Sequence, residues 1–185
     1  MAEYYLISQL PSLDGLAEGA PLPITEEAFL SLCRQHLKGR TLDALEGLTL
    51  TPSPATSPAE VPLVRAWYEG EIDLRIALAK ARAEKLNKPY EAPKKELSPA
   101  LCKAAGAALA TENPLEAERL LLAYRLGALE AQRPMDGFSE AFLFYYLLKL
   151  KLLARIRGFD AQRGVAAYQK IYGSILGGEG LEVTE

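Results

Sequence analysis

The stretch Ser139–Gly158, SEAFLFYYLLKLKLLARIRG, decides the fold. No Gly or Pro interrupts it between its ends. Ser139 is an N-cap residue type, Glu140 suits the positive end of a helix, and Gly158 can close the helix in a left-handed conformation. From Ala141 to Leu148 the chain is apolar on every side. A helix that is apolar all round must be covered all round. The second half is amphipathic: Lys151 and Arg155 are four apart and share one side, while Leu143, Leu147, Leu150, Leu153 and Ala154 run along another. The expectation is a central helix, buried at its start and half exposed at its end, with the rest of the chain packed around it. The fully apolar run covers only roughly 12 Å of helix, far short of a hydrocarbon core about 30 Å thick. Lys149 and Lys151 follow directly, so a core helix is read here, not a membrane span.

Working outward, helix signals repeat along the chain. Asn113-Pro114-Leu115-Glu116 places an N-cap, a Pro at the first helical position and a first-turn acid in order, and Ser98-Pro99 uses the same device. Leu120, Leu121, Tyr124, Ala128 and Leu129 give the first of these helices its inner face. The second, LCKAAGAALA, is built of small residues, and Gly106 within it implies a close helix crossing. Ser57-Pro58-Ala59-Glu60 reads as a capping box, with Pro62 moving the true start toward Val61. From there to Leu86 the pattern is helical: Val64, Trp67, Glu71, Leu74, Leu78, Ala81 and Lys85 trace one side, and Ile72, Ile76 and Ala79 widen the apolar face near the middle. Glu71 and Arg75 are spaced for an i,i+4 pair. Thr25 caps a helix with Phe29, Leu30, Leu32, Cys33 and Leu37 inward, and residues 41–48 add one or two turns. Asp160 caps a last helix carrying Val165, Ala166, Tyr168, Ile171, Tyr172 and Ile175. Residues 51–58, TPSPATSP, are a Pro/Ser/Thr connector. The aromatic run Tyr4–Leu10 is too short for periodicity to separate strand from helix and is read as an extended segment or a short helix laid on the core. The whole is an all-α, multi-helix bundle of about seven helices around a central buried helix. It forms a single domain over 1–178 with a flexible acidic tail at 179–185.

Composition narrows the function classes. The 185 residues are 49% hydrophobic and 24% charged with a net charge of −3, an ordinary globular balance that argues against a general nucleic-acid binder. Two cysteines lie far apart, and the N-terminus MAEYYLISQLPSLDG lacks a basic region and a long apolar run, so a reduced, cytoplasmic protein is expected. The single His36 lies three residues from Cys33, which is short of the four ligands of a zinc site and of a held nucleophile–base pair. Gly177-Gly178-Glu179-Gly180 follows a helix and leads to no lysine, so it is not a phosphate loop. The residues mark no catalytic, metal or cofactor site. Recurring positive charge on two helices reads as a solvated face or as a docking strip for an acidic protein surface, with Arg75, Arg82, Lys151 and Arg155 as its candidates. Tyr68 is either core or, if exposed, an aromatic contact anchor.

Four segments carry a resemblance: YYLISQLPSLD, AWYEGEIDLRIALAKARAEKL, NPLEAERLLLAYRLGALE and FLFYYLLKLKLLARIRGFDAQRG. Over most of its length the chain resembles a bacterial family of unassigned activity whose genes lie among those of the V/A-type rotary ATPase. LRIALAKARAEKL and YYLLKLKLLARIRG also resemble helices of that machine's all-helical C (or d) subunit, a longer, three-fold repeat seated between rotor shaft and membrane ring. The resemblance implies a non-catalytic subunit or accessory factor that docks to ATPase subunits, in the cytoplasm or peripheral to the membrane through them. The alternative from the residues alone is a small ligand-binding or enzymatic bundle with a pocket beside the central helix, using Tyr145 or Tyr146 with Arg125.

Overall fold

The computed structural model describes residues 2–16, 20–52, 61–91, 93–159 and 161–178, and every regular element among them is a helix. There are eight: α1 (Ala2–Ser8), α2 (Glu26–His36), α3 (Arg40–Glu46), α4 (Pro62–Lys85), α5 (Pro99–Ala110), α6 (Pro114–Glu130), α7 (Glu140–Arg157) and α8 (Ala161–Gly178). The count exceeds the expected seven because the N-terminal aromatic run is helical. Leu6 and Ile7 of α1 are buried, and the helix lies against α2. The expected tail at 179–185, most of the connector at 51–58, the capping box at 57–60 and the Asp160 cap fall outside the described residues.

Three of the caps form as their residue types dictate. Thr25 accepts from the Ala28 amide at 3.2 Å, Ser98 from Leu101 at 3.3 Å, and Asn113 from Leu115 at 2.9 Å. Each satisfies a first-turn N–H that the helix cannot pair internally. Pro62 stands at the start of α4 behind Val61, as its missing N–H requires. Two expectations at α7 fail. Ser139 makes no side-chain cap; its hydroxyl instead donates to the Asp136 carbonyl at 2.7 Å, closing the turn before the helix. Gly158 stays right-handed (φ −72°), because α7 ends by tightening its last turn onto the carbonyls of Ala154 to Ile156.

The described side chains form two apolar clusters. The larger contains Leu143 to Leu148, Leu150 and Leu152 of α7, with Phe29 and Cys33 of α2, Leu45 of α3, and Leu63, Val64, Trp67 and Tyr68 of α4. At about 1.5–3 kcal/mol for each large side chain removed from water, the eight buried residues of α7 are a major share of the fold's stability. Tyr146 stacks on Phe29 (centroids 5.4 Å apart) and its hydroxyl donates to the Pro11 carbonyl at 2.8 Å, tying the N-terminal loop to α7. The smaller cluster joins Leu74, Ala77 and Leu78 of α4, Leu101, Ala105 and Ala108 of α5, and Leu121 of α6. Ala105 and Ala108 make the close packing there. Gly106 does not: it is exposed, and nothing lies within 4 Å of where its Cβ would be. The small side chains of α5 are the packing device the composition implies, but the glycine lies on the opposite face.

Candidate docking surface

α4 passes through both clusters, so its two sides have opposite environments. Trp67 is buried, its indole N–H donating to the Leu50 carbonyl at 3.3 Å. Tyr68 is only 4% exposed, and its hydroxyl lies 3.4 Å from both the amide and the hydroxyl of Thr49. Burial therefore removes Tyr68 from any docking surface; it is a core residue with a satisfied polar tip. Glu71 is buried as well and does not pair with Arg75. It accepts from Arg125 of α6 through both oxygens, at 2.7 and 3.2 Å. A buried carboxylate needs a partner that is buried beside it, and Arg75, one turn on, points to water.

The outer side of α4 carries Ile72, Arg75 and Arg82, and its C-cap residue Leu86 continues the line at spacings of three, seven and four. All four are exposed, Ile72 by 47% and Leu86 by 62%. Among the described residues neither Arg75 nor Arg82 has an ion-pair partner. Two cations flanked by two aliphatic side chains make a strip that can meet a surface both acidic and apolar.

The α7 candidates are placed differently. Lys151 is largely covered and pairs with Glu26 of α2 at 2.5 Å. Arg155 pairs with Glu118 of α6 at 2.7 Å, and Glu118 lies 3.8 Å from Arg125. The chain Glu71–Arg125–Glu118–Arg155 thus clamps α4, α6 and α7 together. The structure does not bring the four predicted cations onto one face: Arg75 and Arg82 look outward, while Lys151 and Arg155 hold helices to each other. Sequence spacing could not separate these cases, since a solvated cation and a clamping one look alike until the partner helix is placed.

A cavity of about 200 Å³ is lined by Leu10, Leu13 and Phe142 and bordered by Tyr145, Tyr146, Arg133 and Lys149. Arg125 takes no part; beside it and Glu71 lies a space of about 30 Å³, too small for an organic ligand. Lys149 is hydrogen-bonded to Asp14, to Glu130 at 3.2 Å and to the Tyr145 hydroxyl at 3.2 Å, while Tyr145 donates to Glu130. Arg133 reaches Glu130 at 3.1 Å and Asp14 at 3.4 Å. The hydrogen bond from Lys149 is the largest influence on Asp14, and that from Tyr145 the largest on Glu130; both carboxyls sit below their ordinary values. Burial opposes the Lys149 charge, but its bonds to Asp14 and Tyr145 outweigh it and raise its pKa. Two cations therefore face two carboxylates, and the cluster is neutral as a unit.

Burial pushes the Cys33 thiol up to about 11, so it keeps its proton near neutrality, the wrong state for a nucleophile or a metal ligand. Among the described residues no three His, Cys, Asp or Glu side chains are grouped to hold a metal ion, and no helix is long and apolar enough to cross a membrane. No protein-family model, no curated protein and no solved structure matches the chain.

Proposed function

We propose that this chain is a helical docking protein, a non-catalytic subunit or accessory factor of a bacterial V/A-type proton- or sodium-translocating ATPase. The choice of partner comes from the resemblance carried by the four segments quoted above. The observation that supports docking as the mode of action is the outer strip of α4. Arg75 and Arg82 are uncommitted cations flanked by exposed Ile72 and Leu86, on a helix whose other side is locked into both apolar clusters. A rigid helix with a free mixed face binds without first reorganising, which lowers the ordering cost of association. On this reading α7 is the central support of the bundle. Affinity purification of the tagged chain from its native cell tests the proposal: ATPase subunits are expected in the eluate, and the double variant Arg75→Glu, Arg82→Glu is expected to lose them while keeping its helical circular dichroism. An eluate free of ATPase subunits contradicts the partner; unchanged recovery with the double variant contradicts the strip.

The cavity beside Tyr145 and Tyr146 favours a second reading, a pocket for a small, mostly apolar ligand with one polar end at Lys149 and Arg133. It ranks below docking because Asp14 and Glu130 already answer both cations, so an anionic ligand would have to displace a carboxylate.

A further inference from the structure

α8 is amphipathic, and its described side chains, Gly164 to Ile175, are all exposed. Val165, Tyr168, Ile171, Tyr172 and Ile175 are between 51% and 65% exposed and share one side of the helix. Lys170 is on the opposite side, and 164–175 contain no Asp or Glu. A helix with an apolar stripe is stable in water only when something covers it.

The order of residues within the stripe points to the cover. Val165, Tyr168, Tyr172 and Ile175 follow one another at three, four and three residues, the narrow seam of a two-helix contact. The seam is also a palindrome: β-branched, tyrosine, tyrosine, β-branched. Turned end for end, a second α8 sets Val165 against Ile175 and Tyr168 against Tyr172, with Ile171 beside Ile171 on one flank and Gln169 beside Gln169 on the other. An isologous two-fold contact requires this self-complementarity. The rings of Tyr168 and Tyr172 are already stacked, 5.8 Å apart and 15° from parallel, so an antiparallel pair would gather four rings at its centre. Lys170 points away from the seam and the flanking Gln169 and Ile171 are uncharged, so no like charges meet. Five half-exposed apolar side chains offer on the order of 500 Å² per copy, about 1,000 Å² for a pair, where specific interfaces begin. A membrane-surface helix would instead carry several cations on its polar side, and the sequence of α8 supplies two, Arg163 and Lys170. We propose that the stripe of α8 is covered by the α8 of a second copy of this chain, antiparallel, with the two-fold axis crossing at the level of Lys170.

Sedimentation velocity of the purified full chain over the micromolar to submillimolar range tests this independently of any ATPase partner. The mass is expected to rise from 20.2 kDa toward twice that value. Tyr168→Glu with Tyr172→Glu is expected to weaken association at least tenfold and leave the melting of the remaining helices unchanged. In a Cys102→Ser background, chains carrying Val165→Cys and chains carrying Ile175→Cys should form disulfides when mixed, while Ile175→Cys chains alone should not. A chain that stays monomeric throughout overturns the proposal, as does self-linking of Ile175→Cys chains, which marks a parallel pair. Flotation of an undimerised chain with phosphatidylglycerol-containing vesicles also overturns it, assigning the stripe to a membrane surface.

Discussion

Replacing Arg125 by Met would leave the Glu71 carboxylate, 5% exposed, without the cation that holds both its oxygens. Breaking a buried pair from one side costs about 3–5 kcal/mol, mostly the penalty of an uncompensated charge. At about 2–4 °C per kcal/mol for a chain of this size, the melting temperature should fall by about 6–20 °C. Glu71→Leu combined with Arg125→Met removes both charges and fills the space with apolar atoms, so most of the loss should return; such replacements are often neutral or stabilising. Arg75→Met is the control: with no partner among the described residues, it should stay within about 0.5 kcal/mol of the parent. Urea and thermal melts of the parent, both single variants at the pair and the double variant complete the cycle. A cost below about 1 kcal/mol for Arg125→Met, or a double variant as unstable as the sum of its singles, would refute the reasoning, because Glu71 would then have another partner or access to water.

The caps give a contrast within one set of melts. Thr25→Ala and Asn113→Ala should each cost about 1 kcal/mol, and Ser139→Ala clearly less, since Ser139 caps no amide of α7. Gly106→Ala should stabilise by up to about 1 kcal/mol because its Cβ meets open space within a helix, whereas Gly39→Ala should destabilise because its φ is +68°. Asp14 and Glu130 have folded pKa values below their ordinary 3.8 and 4.5, so the folded chain resists protonation there more than the unfolded chain does. Their contribution is complete above about pH 4.5 and drains as pH falls through the lowered values. Acid titration of stability should show this loss in the parent and a smaller one in Lys149→Met.

The fold was legible where one residue type decides one local outcome. Asn113, Ser98 and Thr25 cap because a short acceptor side chain before a helix has one amide to reach, and α7 is buried early because Ala141–Leu148 has no polar side to show. Ser139 fails locally, because the Asp136 carbonyl takes its hydroxyl, and the other failures at side chains come from positions whose role depends on a distant partner. Arg75 and Arg155 are the same side chain on similar helices; only the placement of Glu118 and of Glu71 makes one a clamp and the other free. Gly106 on α5 shows the same limit, because composition announces close packing without saying which face of the helix takes part. The sequence of Tyr68 fits core and anchor alike, and only its burial, with the hydroxyl against Thr49, separates them. The seam of α8 was visible as an apolar series, but its exposure was not, since periodicity reports that a face wants cover and leaves open whether this chain provides it.

In the proposed role, other proteins hold this bundle by α4. Quantitative affinity purification of the tagged parent and of the Arg75→Glu, Arg82→Glu variant from the native cell measures it directly. The account predicts V/A-type ATPase subunits with the parent and a loss of at least tenfold with the variant, at equal expression and equal melting temperature. Parent eluates without those subunits, or equal recovery from both proteins, would contradict it.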